Sequence, residues 1–182
     1  MLVVGVVGSP NAGGRTRVAV DAVLGGAAAT AERAEVRVHE LADTPVPEVL
    51  AAMGEADAVV FASPTYRADI TAQLKGLLDQ TPRGAAYESG DPLRGKVCAT
   101  VLTGASDHHF LAVEKVRGIL GGFFGVQILS PGLYFASAAF AEDKTGLVDE
   151  QRQLAELHGR ALVELTTAVR SSKWLRDLRP LV

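Results

Sequence analysis

The chain has 182 residues, 48% of them hydrophobic and 21% charged, with a formal net charge of −3. That balance belongs to a folded, water-soluble domain with a sizeable core, and it excludes a disordered or fibrous chain; no dense Lys/Arg run marks a nucleic-acid surface. One cysteine, Cys98, excludes an internal disulfide and a cysteine-held metal cluster, and no apolar stretch reaches membrane-spanning length. The expectation is a single cytoplasmic domain over residues 1–182 that meets neither membrane nor nucleic acid.

In chain order, the apolar run at residues 2–7 predicts a strand, and Gly8-Ser9-Pro10-Asn11-Ala12-Gly13-Gly14-Arg15-Thr16 follows it directly. An amphipathic stretch at residues 16–29 then predicts a helix. A glycine-rich turn opening a helix places backbone N–H groups and hydroxyls where a phosphate can sit, because the first helical N–H groups have no internal partners. The triphosphate pattern G-x-x-x-x-G-K-[ST] has its spacing from Gly8 to Gly13, yet Gly14-Arg15 stands where the lysine and hydroxyl belong. The dinucleotide fingerprint G-x-G-x-x-G is absent. What remains is a single-phosphate loop or an ordinary strand-to-helix turn.

Residues 35–41 alternate Val36 and Val38 with Arg37 and His39, as a half-exposed edge strand does, and a short helix is expected near residues 47–53. Residues 58–62 form a second continuously apolar strand, followed by the loop Ser63-Pro64-Thr65-Tyr66-Arg67-Ala68-Asp69 and a helix at residues 70–79. In this loop Pro64 turns the chain off the strand. Thr65 and Tyr66 then offer a backbone and an aromatic face against which a planar ring can pack, although a surface tyrosine without a ligand fits the pattern too.

Residues 84–92 are the longest irregular stretch, expected to cover a surface or meet a partner subunit. The apolar strand at residues 97–102 encloses Cys98, which predicts a buried, inert thiol. The loop Thr103-Gly104-Ala105-Ser106-Asp107-His108-His109 comes next, with Asp107 a candidate helix cap. A helix at residues 110–123, a fifth strand within 126–135 and a long helix over 148–170 complete the pattern. The neighbours His108 and His109 make a poor metal pair, and no metal is expected; His39 and His158 are expected at solvated or edge positions. Alternation of this kind predicts an α/β fold: a doubly wound, five-stranded parallel sheet in the order 2-1-3-4-5 with helices on both faces. Ligands bind such sheets beyond the carboxyl ends of the strands, where the three loops emerge.

The three loops together resemble the NAD(P)H-dependent FMN reductase family of the flavodoxin-like superfamily, the group that includes the sulfonate-utilisation flavin reductases. The first loop is similar to Gly-Ser-Pro-Arg-x-x-Ser-Arg-Ser/Thr through Gly8, Ser9, Pro10, Arg15 and Thr16, with Asn11 in place of Arg and Gly14 in place of Ser. The second is similar to Pro-x-Tyr-(Lys/Arg) and a following Leu-Lys-x-Leu-Leu-Asp helix through Pro64, Tyr66, Arg67, Leu74, Lys75, Leu77, Leu78 and Asp79, with Ala72 where glycine is common. The third resembles Thr-Gly-Gly-(Ser/Thr)-x-x-His-x-Leu-Ala-Val, with Ala105 in place of the second glycine.

That resemblance implies an enzyme that takes hydride from NADH or NADPH onto FMN and passes electrons to free flavin, a quinone or a dye-like acceptor. It implies that Ser9, Arg15 and Thr16 hold the FMN phosphate; Asn11 removes a charge there, which weakens FMN retention unless Arg15 or Arg17 compensates. Pro64, Thr65, Tyr66 and Arg67 would line the ring and ribityl chain. Backbone amides of Thr103, Gly104, Ala105 and Ser106 would meet the pyrimidine edge, with His109 beside the flavin or capping the next helix. Arg67 and Lys75 are candidates to meet the nicotinamide cofactor's phosphates, and either fits a solvated face or an ion pair equally well. No side-chain acid or base is required, because the redox chemistry belongs to the cofactor.

The resemblance also implies a homodimer or homotetramer, and a flavin-dependent monooxygenase as a candidate recipient of reduced FMN. Residues 111–120 lack the extra aromatic residue that members serving such monooxygenases can carry, which favours tightly held FMN. An electron-carrying flavodoxin is the rival of similar fold. Flavodoxins are strongly acidic and flank the ring with two aromatics, whereas this chain has a net charge of −3 and one obvious aromatic, Tyr66.

Overall fold

The computed structural model describes residues 1–30, 34–84, 90–143 and 145–178. Its strands are β1 (Leu2–Val7), β2 (Glu35–Glu40), β3 (Ala58–Pro64), β4 (Val97–Thr103), β5 (Gln127–Ile128) and β6 (Leu133–Phe135). Its α-helices are α1 (Arg15–Ala28), α2 (Val46–Glu55), α3 (Ala72–Gln80), α4 (Ala112–Arg117), α5 (Asp149–Ser171) and α6 (Lys173–Asp177). All strand pairs are parallel, in the order β2-β1-β3-β4-β5, with β6 also on β4. The fold is therefore the expected flavodoxin-like one.

Side chains alternate across each central strand and feed two cores. Val3 and Val7, Val60 and Ala62, and Val97 and Val101 face α1 and α5. Val4 and Val6, Val59 and Phe61, and Cys98 and Leu102 face α2, α3 and α4. With both faces covered, β1, β3 and β4 are mainly apolar, the exceptions being buried Ser63 near the end of β3 and Thr100 and Thr103 in β4. Full burial of a side chain the size of Phe61 is worth about 1.5–3 kcal/mol. Helices α1 and α5 cross at backbone contact: a Cβ on Gly26 would lie 2.0 Å from the Glu156 carbonyl oxygen, and one on Gly159 would lie 1.9 Å from that of Val23.

Three departures from the sequence reading have local causes. The fifth sheet position is shared by β5, opposite Val97 and Cys98, and β6, opposite Val101 to Thr103. Residues 129–132 between them contain Pro131, which has no N–H for a ladder. The helix after the third loop changes at Gly118 from α to a π-helical segment (Gly118–Phe123), with Phe124 N–H donating to the Ile119 carbonyl at 3.2 Å. The single helix expected over 110–123 is thus divided between α4 and this π-helical segment. Third, His158 is buried and not solvated: its ring nitrogens face the carbonyl oxygens of Leu154 at 2.9 Å and Pro131 at 3.2 Å. His39 does lie on the edge strand β2, with its Nε2 shielded and without a hydrogen-bond partner.

Candidate functional site

The loops after β1, β3 and β4 meet at the carboxyl end of the sheet and are tied to one another. Thr65 N–H donates to the Thr103 carbonyl at 2.7 Å, joining the second loop to the third. The buried hydroxyls of Thr16 and Thr103 share a 2.8 Å hydrogen bond, joining the first to the third. The Thr71 hydroxyl donates to the Gly8 carbonyl and accepts the Leu74 N–H at 3.2 Å, so one side chain caps α3 and anchors the first loop. Glycine is required at position 8 by closeness: a Cβ there would stand 2.5 Å from that of Leu74.

Within the first loop, the Ser9 hydroxyl donates to the Asn11 carbonyl at 2.8 Å and accepts the Asn11 N–H at 3.2 Å, while the Asn11 side chain lies at the exposed rim. Gly14 is the N-cap of α1, makes no side-chain capping bond, and no acidic residue follows in the first turn. The helix therefore presents its positive end and unpaired N–H groups beside an exposed loop, the arrangement that receives anions. Neither nearby arginine is free. Arg15 donates to the Ser137 hydroxyl at 2.5 Å and lies over the Phe140 ring, 5.5 Å from its centroid. Arg17 grips Asp21 through Nε at 2.8 Å and Glu40 through a terminal nitrogen at 2.9 Å. Those two carboxylates, Asp21 foremost, hold the Arg17 pKa above its ordinary value. Binding of a phosphate in this conformation would rest on backbone N–H groups and hydroxyls.

The second loop is a tight reversal. Tyr66 and Asp69 exchange backbone bonds of 2.9 and 3.1 Å, which places Arg67 at φ 53° and Ala68 at φ 60°. Left-handed conformations in two consecutive non-glycine residues are costly, and such strain collects at functional sites. Tyr66 is 51% exposed beside this turn. The Thr65 hydroxyl is shielded from solvent without a hydrogen-bond partner. Asp69 holds the turn to the helix after the third loop: Lys115 donates to it at 2.7 Å and Ile70 N–H at 2.8 Å. These bonds, Lys115 first, lower the Asp69 pKa.

In the third loop, Thr103 ends β4 and Gly104 N–H goes to the Phe135 carbonyl at 3.0 Å. Gly104 therefore closes the sheet instead of presenting its amide to a ligand, and the amides of Ala105 and Ser106 are the ones that lie beyond it. The Tyr134 hydroxyl donates to the Ser106 carbonyl at 2.9 Å, and a Cβ on Gly104 would lie 1.9 Å from that hydroxyl. Sequence reasoning missed Tyr134 because the contact crosses from β6 and follows no local pattern. Asp107 does not cap through its side chain; it opens a short 3₁₀ turn (Asp107–His109) whose N-cap is Ser106. His109 is exposed at the end of that turn, and His108 Nδ1 lies 3.3 Å from the Ser106 hydroxyl. Cys98 is fully buried, and desolvation pushes its thiol up to about 12.

A cavity of about 540 Å³ lies apart from these loops, between α3 and the helix that begins at α4, lined by Leu78, Ile119, Phe123 and Phe124 with Lys75 and Lys115. Lys75 is paired there with Asp79 and is not in the three-loop site. None of the residues expected to hold FMN lines this cavity; of those expected to meet the nicotinamide cofactor, Lys75 does. The three-loop site carries the donors for an anion, whereas this groove is mainly apolar. Among the described residues, no cluster of His, Cys, Asp or Glu has metal-binding geometry, and no helix is long and apolar enough to cross a membrane.

The pattern of a family described as NADPH-dependent FMN reductase matches residues 1–141, a span that contains all three loops. The chain is 33% identical over 127 residues to an iron-sulfur flavoprotein of Methanocaldococcus jannaschii, covering 58% of this chain and 63% of that protein. It is 33% identical over 91 residues to the NADH-dependent FMN reductase SfnF of Pseudomonas putida, covering 50% of this chain and 45% of that protein. The chain thus spans between about half and two thirds of these relatives' lengths. Among solved structures, the apo form of the NADH:FMN oxidoreductase EmoB superposes with a TM-score of 0.78 at 21% identity, covering 97% of this chain and 94% of the other.

Proposed function

The chain belongs to the NADPH-dependent FMN reductase family, and from that premise we propose that it binds FMN at the three-loop site and uses it to oxidise NADH or NADPH. The observation that carries this reading is the uncapped N-terminus of α1, tied to the third loop by the Thr16–Thr103 bond. The donor set fits a phosphate monoester: unpaired helical N–H groups, the hydroxyls of Ser9 and Thr16, and no fixed carboxylate in the first helical turn. The shielded Thr65 hydroxyl is a further polar group awaiting a partner.

Ser9, Asn11 and the N–H groups of Gly14, Arg15 and Thr16 hold the phosphate in this reading. Arg15 adds its charge by leaving Ser137, while Arg17 stays with Asp21 and Glu40 and acts through its backbone. Pro64, Thr65, Tyr66 and Arg67 flank the ring and ribityl chain, and the amides of Ala105 and Ser106 meet the pyrimidine edge. Thr103 and Gly104 fix that edge in place, with His109 at the rim. Bound flavin supplies the redox chemistry, hydride acceptance from a nicotinamide cofactor and electron delivery to free flavin or a quinone. The residues position the rings and exclude water.

A homodimer or homotetramer is part of the proposal. Tyr66, Phe110, Leu111 and Phe123 are between 48% and 64% exposed on the side of the site and of α4, an apolar surface that a second copy would cover. A monooxygenase that receives reduced FMN is the candidate protein partner. The M. jannaschii relative's name mentions an iron–sulfur centre, but one buried cysteine in 182 residues does not supply the thiolates for one. Steady-state oxidation of NADH and of NADPH, with and without FMN and with a quinone as acceptor, tests the activity. FMN-dependent turnover supports it, and flavin binding without turnover identifies an electron carrier instead.

A further inference from the structure

We infer that Glu40 is a positioning residue that holds the first loop in its phosphate-receiving conformation and so sets how strongly the flavin phosphate is bound. This inference rests on the proposed FMN site. Glu40 is the last residue of β2, in register with Val7, the last residue of β1. Its side chain therefore stands beside the loop that leaves β1, and it is only 13% exposed.

One carboxylate oxygen accepts the Gly13 N–H at 2.9 Å, and the other accepts from Arg17 at 2.9 Å. Gly13 is the loop's one left-handed residue, at φ 67°, and a Cβ there would touch nothing within 4 Å. Its need for glycine is thus conformational, and Glu40 fixes that conformation through the backbone N–H. The carboxylate braces the loop one residue before the α1 N-cap, where the helix has no capping side chain of its own. Arg17 shields the acid from the anion site while Asp21 holds the guanidinium from the other side.

A loop already fixed before binding costs less to order when the ligand arrives. The phosphate should therefore gain from Glu40 even though the residue is an acid near an anion site. An unbraced loop leaves the ring contacts at Tyr66 and Ser106 untouched, so the effect should fall on FMN and spare riboflavin, which has the same ring without the phosphate.

The test is the ratio of FMN to riboflavin affinity, read by flavin fluorescence quenching, together with hydrogen exchange of the Gly13 amide in ligand-free protein. Glu40→Ala should weaken FMN about fivefold to tenfold with riboflavin unchanged, and should speed Gly13 exchange. Glu40→Gln, which keeps an oxygen to accept the Gly13 N–H, should recover part of both. An unchanged ratio, or tighter FMN binding in Glu40→Ala, overturns the inference. Wild-type protein that binds FMN no better than riboflavin overturns the phosphate site itself. Gly13 exchange that is equally fast in wild type and both variants removes the brace whatever the flavin does.

Discussion

The hydroxyl of Thr16, in the first turn of α1, lies 2.8 Å from the hydroxyl of Thr103, the last residue of β4, in a buried hydrogen bond. Two residues 87 positions apart in sequence thus lock the first loop against the third. A buried hydroxyl that loses its partner costs about 1–3 kcal/mol, whereas replacing both partners by apolar groups is nearly neutral. Thr16→Val or Thr103→Val should each lower the unfolding free energy by about that amount, and the double variant should lose clearly less than the sum. Chemical denaturation of the four proteins without flavin reads the cycle, and additive losses would contradict the link.

Gly104 is closed by Tyr134. A methyl group there would meet the tyrosine hydroxyl at 1.9 Å and the ring carbon bearing it at 2.8 Å. Overpacking of this kind costs about 1–3 kcal/mol, and Gly104→Ala should show a loss of that size in thermal or chemical unfolding. Tyr134→Phe in the same chain should recover only part of it, because the ring carbon remains too close. Full recovery would show that the hydroxyl alone is in conflict.

The turn Tyr66 to Asp69 stores strain at Arg67 and Ala68, both in the left-handed region. A left-handed L-residue costs about 1–2 kcal/mol, so Ala68→Gly should raise stability by up to about 1 kcal/mol after the entropy glycine gains in the unfolded chain. If the strain serves to present Tyr66, the same variant should bind flavin more weakly. A less stable Ala68→Gly protein would show that the turn is not strained.

Cys98 is an inert thiol whose pKa burial pushes up to about 12. A raised folded-state value stabilises the folded protein fully below the unfolded thiol's pKa, about 8.5, and that stabilisation is lost as pH rises from there toward the folded value. Cys98→Ala should be the less stable protein at neutral pH, because it leaves a small void in the core. Its deficit should narrow at pH 10, where the unfolded wild-type chain ionises. A deficit that is constant or grows with pH would contradict burial of the thiol.

The fold was legible where a segment's neighbours are dictated by its own composition. The apolar runs of β1, β3 and β4 announced strands covered on both faces, and the alternation of Val36 and Val38 with Arg37 and His39 announced the edge. The division of the last sheet position was hidden, because residues 129–132 carry no periodic signal. His158 read as solvated because polar residues surround it in sequence, yet α5 turns it onto the Pro131 carbonyl. Likewise the loops were legible as chemistry but not as geometry. Glycines and hydroxyls marked the first loop as a candidate phosphate turn, while the engagement of Arg15 by Ser137 and of Arg17 by Glu40 spans elements that no local pattern connects. The register of Val7 with Glu40 is the signal that would have placed Glu40, since parallel neighbours ending together put their last residues side by side. The stretch 84–92, expected to cover a surface or meet a partner subunit, has its residues 85–89 outside the described residues.

The central claim is that the three loops form one flavin site and that the cavity between α3 and α4 is not that site. Titration of isotope-labelled protein with FMN, followed by backbone amide chemical shifts, tests it most directly. The account predicts that the amides of Gly14, Arg15 and Thr16, of Thr65 and Tyr66, and of Ala105 and Ser106 move together along one saturation curve, while those of Leu78, Ile119 and Phe124 stay in place. Shifts confined to the cavity residues, or absent from the first loop at saturating FMN, would contradict it.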